Sequence, residues 1–515
     1  MIAFAKVFSA VLLLVSSAFS GTAVAQDASS AVERFAGEAR VGSQPPLPIH
    51  IELRRSLDTV TGTLSIPGTA FELLKAQWGD TINGRFQGEG GGGTLTLRAD
   101  GNVLTGTFDL EGQPGTITAQ RTAQDAKTFF RPPEQQLNLT TAQWLEDLDR
   151  LVEILMGEHA SPFHRISREQ LEREVARVRA VIPELNGIEI ALRFRKLGAL
   201  IGDGHTAVAA PRGRPSLPIE FYWFEDGLRM VGVSAVHQEL LGTRLIAVND
   251  IPVAEVTERL RAFIAQGETE WFYRAGVTGL INNPDVLNAA GIGAAPSFNF
   301  TLATADGASE RIEFTAATEA AERVTLGGGA PLWLRHEAQG FWSEEVADGS
   351  IYVNWRSYDG LAGQAAALLQ SLDAQHPRRL IIDLRDNDGG DFTIGRALIK
   401  EIKRRPWLNR AGVLYVLIGR ATFSAAMTNA VDFKRTTEAT LVGEPVGAAP
   451  NNWQEVRRFH LPNSGLSVGV STLYNEFLPG EAEVRPDRNV PPEPSDWGNP
   501  QDASVRLVLE QPVVD

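Results

Sequence analysis

The chain of 515 residues contains no cysteine. That absence excludes disulfides, thiol nucleophiles and cysteine-based zinc sites together. Only 8 histidines occur, and none forms an H-E-x-x-H frame with acids at helical spacing, so neither a metal nor a cofactor is expected. Positive charge is scarce as well: 48 Lys and Arg face 63 Asp and Glu, a formal net charge of −15. Such a balance argues against a nucleic-acid partner, which needs clustered Lys and Arg. Beyond the N-terminus no stretch approaches the ~20 apolar residues that span a bilayer, so no integral membrane segment is expected there.

What is present is globular in character. Hydrophobic residues make up 43% and charged residues 22% of the chain, enough to bury sizeable cores. At ~150 residues per domain, roughly three domains are expected. The N-terminus carries Lys6, an apolar run from Val7 to Phe19, and small residues ending in Ala23-Val24-Ala25. This is the pattern of a signal peptide, residues 1–25, cleaved before Gln26. A membrane anchor is the competing reading, disfavoured by the short run and the small residues after it. With no cysteine to accept lipid, the expected location is a bacterial periplasm or the cell exterior.

Residues 27–122 alternate short Thr/Leu/Ile/Phe runs with Gly-, Asp- and Asn-rich turns, predicting an all-β sandwich or barrel. Its "GEGGGG" lacks the Lys and the strand-then-helix setting of a phosphate loop. "RPPEQQLN" (131–138) reads as a linker. Residues 135–210 are expected to be helical: "TAQWLEDLDRLVEILMG" opens at a Thr cap, and "SREQLEREVARVRAVI" and "GIEIALRFRKLGALIG" are each amphipathic. Residues 215–320 return to strands with one helix, an α+β segment. From 330 to 510, apolar strands such as "RRLIIDLR", "VLYVLIG" and "ATLVGE" alternate with helical stretches. That alternation predicts an α/β core built on a largely parallel sheet. Ligands gather at the carboxyl ends of such strands, where "LRDNDGGD" and "GRATFS" lie.

Three stretches there and upstream could carry chemistry. In "GRATFSAAMTNAV", Ser424 stands at a strand-to-helix turn where free N–H groups favour negative charge, and the Ala425 N–H could hold an oxyanion. Serine is also a preferred helix cap, the plainer reading, and there is no G-x-S-x-G elbow. "RRLIIDLRDNDGGD" ends a buried strand in Asp383 and Arg385 and turns at Gly389-Gly390, where backbone can approach a ligand without a Cβ in the way. "LGALIGDGHTAV" places His205, a candidate general base, in a polar turn after an apolar helix.

Taken in order, "LIIDLRDNDGGD", "VLYVLIGRATFSAA" and "ATLVGEPVG" resemble the C-terminal processing (tail-specific) proteases, peptidase family S41, which include the tricorn core protease. The resemblance covers about 350–490 and extends upstream through "HASPFHRISREQLEREVARVRAVIP" and "LGALIGDGHT". "LLGTRLIAVNDIPVAEVTERL" is similar to the family's PDZ-like segment, and residues 27–122 are not covered. The resemblance implies a multidomain protein whose α/β core has a crotonase/ClpP-like layered fold. It implies a serine peptidase acting on protein or peptide through an acyl-enzyme, with Ser424 as nucleophile and the N–H groups of Gly389, Gly390 and Ala425 around the oxyanion.

One branch of that family uses a lysine after "GE-x-x-G". Here "GEPVGAAPNNW" has none, and Lys434 stands ten residues past Ser424, about three helical turns away. The tricorn-like branch uses an upstream histidine, which His205 matches. Its orienting acid would come from Glu476, Glu481 or Glu483, of which Glu483 is chosen; Asp203 is an alternative that the sequence permits. A different class stays open: members resembling retinoid-binding proteins, which bind apolar ligands on the same fold without proteolysis.

Overall fold

The structure, a computed structural model, describes residues 32–512 except 43–45, 68, 89–90, 111, 305–306 and 319–321. The expected signal peptide lies outside the described residues. Contacts divide the chain into two units that meet at Pro132 and Pro133.

In the first unit eight antiparallel strands, from Val32–Val41 to Gln113–Arg121, close into a barrel as the first pairs with the last. Alternation along each strand turns one set of side chains inward. Phe35, Ile51, Val60, Leu97 and Leu104 are fully buried there. An eight-stranded barrel is just wide enough for side chains to fill its interior. The β-rich module expected at 27–122 is thus a barrel and not a sandwich.

The second unit begins with helices Thr141–Gly157, Arg168–Val181 and Gly187–Ile201. Each opens on a reciprocal capping box: Thr140 with Gln143, Ser167 with Gln170, and Asn186 with Glu189. The first cap falls on Thr140, one residue earlier than the helix itself starts. Their apolar faces pack with Leu461, Leu466, Val468 and Val470, far downstream. That contact accompanies a three-stranded antiparallel sheet in which Asn451–His460 pairs with Ser467–Glu476, and the latter with Ala207–Val208.

Residues 219–325 form a separate, seven-stranded antiparallel sheet. Helices Val253–Leu260, Glu270–Leu280 and Pro284–Ala289 belong to this segment, against the one helix expected. The second of them, "EWFYRAGVTGL", is rich in aromatic, Gly and β-branched residues of low helix propensity. It forms nonetheless because Thr269 caps it and Tyr273, Val277 and Leu280 are buried.

The third sheet has six strands in the order Phe341–Ala347, Ser350–Trp355, Arg379–Asp383, Leu414–Ile418, Thr440–Gly443, Arg488–Asn489. All pairs but the first are parallel. Strands Arg379–Asp383 and Leu414–Ile418 are buried throughout, as expected for parallel strands covered by helices. Three consecutive carboxyl ends therefore present the turns 384–390, 419–424 and 444–449 side by side. Among the described residues no helix is long and apolar enough to cross a membrane.

Candidate active site

The turn after Leu414–Ile418 is tied down before it reaches Ser424. The Thr422 hydroxyl donates to the Leu384 carbonyl at 2.7 Å and accepts the Gly419 N–H at 3.0 Å. Phe423 N–H donates to the Asn387 carbonyl at 2.9 Å. Arg420 grips both carboxylate oxygens of Glu444 at 2.7 Å and reaches the Trp223 carbonyl at 2.7 Å. Held this way, Ser424 takes φ 52° and ψ −122° and makes no side-chain cap bond to the helix Ala425–Thr436 that it precedes. The capping reading is therefore not what this hydroxyl does. A non-glycine residue at such a φ is strained, and strain of this kind collects at functional sites.

The glycine turn lies directly against it. Asn387 donates from its amide to the Trp355 carbonyl at 2.7 Å and accepts the Gly389 N–H at 2.9 Å. A Cβ on Gly389 would stand 2.6 Å from Ser424 Cβ, 3.0 Å from its Oγ and 3.1 Å from Ala425 N, and φ there is +117°. Only glycine fits that approach. Because Asn387 takes the Gly389 N–H, the donors left beside Ser424 are Gly390 and Ala425; among the described residues neither meets an acceptor. Behind the turn, Arg385 is buried between Asp383 and Asp502. Burial alone would lower the pKa of its guanidinium, but the two carboxylates raise it well above the usual value.

His205 comes from the loop that ends helix Gly187–Ile201 at Gly202, φ 97°. Asp203 organises that loop. Its Oδ1 accepts the N–H groups of His205 (3.0 Å) and Thr206 (2.8 Å) and the Ser471 hydroxyl (2.6 Å), and its Oδ2 lies 2.9 Å from His159 Nε2. Ser161 N–H donates to His159 Nδ1, so the proton on a neutral His159 sits on Nε2 and is donated to Asp203. Burial pushes the Asp203 carboxyl up, yet the bonds from His159, Ser471 and Thr206 outweigh it and hold it below its ordinary value.

The His205 ring is buried and stacked on Phe423, the neighbour of Ser424, with centroids 4.6 Å apart and planes at 28°; Phe423 in turn stacks on Phe272. Burial drives the imidazole down to about 4, against the opposing pull of the Asp203 charge and the Trp453 backbone. It is neutral at pH 7, the state a base requires. Both of its ring nitrogens are buried and neither makes a well-formed hydrogen bond, the Trp453 backbone being only near enough to pull on the ring. Neither Ser424 nor an acid is bonded to it.

The acids expected to orient His205 stand elsewhere. Glu483 pairs with Arg485 at 3.1 Å, and Glu476 is exposed in its strand. Asp203 hydrogen-bonds the His205 backbone and not the ring. Lys434 is tied to Asp487 and the Arg485 carbonyl, each at 3.0 Å. Sequence reasoning missed His159, Ser471 and Glu268, whose carboxylate accepts the Gly204 N–H at 2.9 Å and the Ala449 N–H at 2.7 Å. "HASPFHR" was a visible signal for His159; nothing local marks the other two. Among the described residues no group of three or more His, Asp or Glu side chains could hold a metal ion.

No protein-family model and no curated protein matches the chain. Among solved structures it is similar to mature CPAF, with TM-score 0.48 and 13% identity over 70% of this chain and 94% of that one. It is also similar to the photosystem II D1 C-terminal processing protease, with TM-score 0.35 and 13% identity over 68% and 94%. A third is tricorn protease, with TM-score 0.33 and 9% identity over 93% of this chain and 59% of that one. Likeness of this size assigns neither family nor chemistry to the chain.

Proposed function

We propose that the chain is an exported, periplasmic or secreted serine peptidase of the C-terminal processing type, acting on protein or peptide substrates. The observation that carries this reading is one juxtaposition. A strained Ser424 lies against a glycine turn, with two unengaged N–H donors beside it and a neutral imidazole stacked on the adjoining residue. A helix cap would need none of these.

In this reading His205 takes the Ser424 proton as Oγ attacks the substrate carbonyl. The oxyanion is held by the N–H groups of Ala425 and Gly390, Gly389 serving as the spacer that lets the turn approach. His205 returns the proton to the leaving amine, and a water, deprotonated in the same way, releases the acid product. The His205 ring must then turn toward Oγ when substrate binds, since catalytic hydrogen bonds often tighten only in the complex. The orienting part foreseen for Glu483 passes to Asp203, which fixes the loop through its backbone. We also assign 135–210, 215–320 and 330–510 as helical, PDZ-like and crotonase/ClpP-like parts of one peptidase.

The orphaned imidazole also favours a second reading, a non-catalytic protein binding apolar ligands or peptides. A fluorophosphonate probe separates the two. Labelling at Ser424, lost in Ser424→Ala and slowed at least about a hundredfold in His205→Ala, is expected for the peptidase; proteolysis of an unstructured protein should fall by about a thousandfold or more in either variant. A wild-type protein that neither labels nor cleaves would decide for the binding module.

A further inference from the structure

We infer that Glu268 is a positioning residue that clasps the His205 loop to the loop following Glu444, holding the imidazole in register with Ser424. The inference rests on the reading of His205 as base and Ser424 as nucleophile. The segment 267–269 is wedged between the two loops. A Cβ on Gly267 would lie 1.9 Å from the Gly202 carbonyl oxygen, so this backbone touches the end of the base loop's helix. Arg165 donates to the Gly267 carbonyl at 3.2 Å. Thr269 donates from its hydroxyl to the Gly447 carbonyl at 2.7 Å. Between these anchors Glu268 Oε1 takes the Gly204 N–H and Oε2 the Ala449 N–H. Gly204 is the residue before His205, and a Cβ there would lie 2.8 Å from Phe423 Cζ and 3.0 Å from Glu268 Oε1. The carboxylate, the base loop and the nucleophile turn thus meet within one van der Waals layer.

The chemistry requires a carboxylate and not an amide. Both partners are N–H donors, and an ionised carboxylate offers an acceptor to each. Glutamine would satisfy one and turn its own NH₂ against the other. The charged groups that bear on Glu268 are Asp203 from the base loop and Arg165 from the segment before helix Arg168–Val181. On the third side, 445–449 carries no titratable side chain. The side chain is half-buried by surface, yet crowding of the carboxylate by protein pushes it up to about 7, against the two N–H bonds; the Asp203 charge adds to the rise and Arg165 opposes it.

Two ionisations then shape the acid side of the activity profile. Activity is expected to set in as His205 loses its proton, at about 4, and to rise again as Glu268 ionises, at about 7. The test is kcat and KM of the full chain on a peptide substrate from pH 3.5 to 9, for wild type, Glu268→Gln, Glu268→Asp and Ser424→Ala. Glu268→Gln is expected to lose about ten- to a hundredfold in kcat, the scale of a misplacement of about 1 Å. Its KM should stay within about twofold, and the step near pH 7 should vanish. Glu268→Asp keeps two acceptors and should restore part of kcat together with the step. A wild-type profile without any step near 7 overturns the inference, even if Glu268→Gln does not fold. So does a Glu268→Gln enzyme with wild-type kcat, or one that melts earlier but keeps the step. Activity surviving in Ser424→Ala would instead overturn the reading of Ser424 as nucleophile on which the inference rests.

Discussion

Ser424 is held at φ 52° by a turn that Arg420, Thr422 and Phe423 tie to neighbouring loops, so its strain of roughly 1–3 kcal/mol is offset by those contacts. Replacing it separates chemistry from strain. Ser424→Ala and Ser424→Gly should be equally inactive, yet the glycine variant should be more stable by about 1 kcal/mol, because glycine adopts this φ freely. Urea unfolding of the two variants measures the difference; an alanine variant of equal or greater stability would deny the strain. The residues legible in the sequence are those whose roles are local. Ser424, Ala425, Gly389, Gly390 and His205 sit in short motifs at turn positions, where the chemistry of the turn itself marks them. Glu268 bonds to groups 64 and 181 residues away and Ser471 to one 268 residues away, and no spacing rule reaches that far. Glu483 follows the opposite course: its place in the sequence suggests the site, while its side chain is satisfied two residues away by Arg485.

At the scale of elements, the base loop is secured by a strand of only two residues. Ala207–Val208 pairs with Val468 and Gly469, and just beyond, Ser471 donates to Asp203 while its N–H reaches the Thr206 hydroxyl at 3.1 Å. Asp203→Asn turns an NH₂ against the His159 Nε2–H and strips the charge from the bonds to His205, Thr206 and Ser471, whereas Ser471→Ala removes one donor. The first should cost about 2–3 kcal/mol and the second about 1, with losses of activity in the same order, measured by urea unfolding and by kcat. A Ser471→Ala variant as damaged as Asp203→Asn would show that Asp203 is not the centre of the loop. The parallel strands of the core were readable because burial on both faces demands unbroken apolar runs such as "RLIID" and "LYVLI". The hairpin 451–476 was not, since "NNWQEVRRFH" and "SVGVSTLYNE" mix polar and apolar residues without clean alternation. Helix Glu270–Leu280 escaped for the reason its composition gives, tertiary burial overriding weak propensity.

Across the whole molecule, two units each enclose their own hydrophobic core. Separate domains commonly unfold in separate steps, so calorimetry should resolve two transitions, and brief proteolysis should cut within 131–138 and leave two resistant fragments. A single transition with no stable fragment would mean that the units fold as one. Strand alternation foretold the β character of the first unit but not its closure, which depends on pairing between Val32–Val41 and Gln113–Arg121 at the unit's two extremes. In the second unit, the same dependence on distant partners has a consequence for biosynthesis. Ser471 lies 268 residues beyond the Asp203 that it holds, and Ser424 leaves the ribosome before it. A polypeptide ending short of Ser471 already contains Ser424 and His205 but lacks the strand that pairs with Ala207–Val208 and the hydroxyl that Asp203 accepts, so in the proposed reading the base loop is set only after the nucleophile has been made.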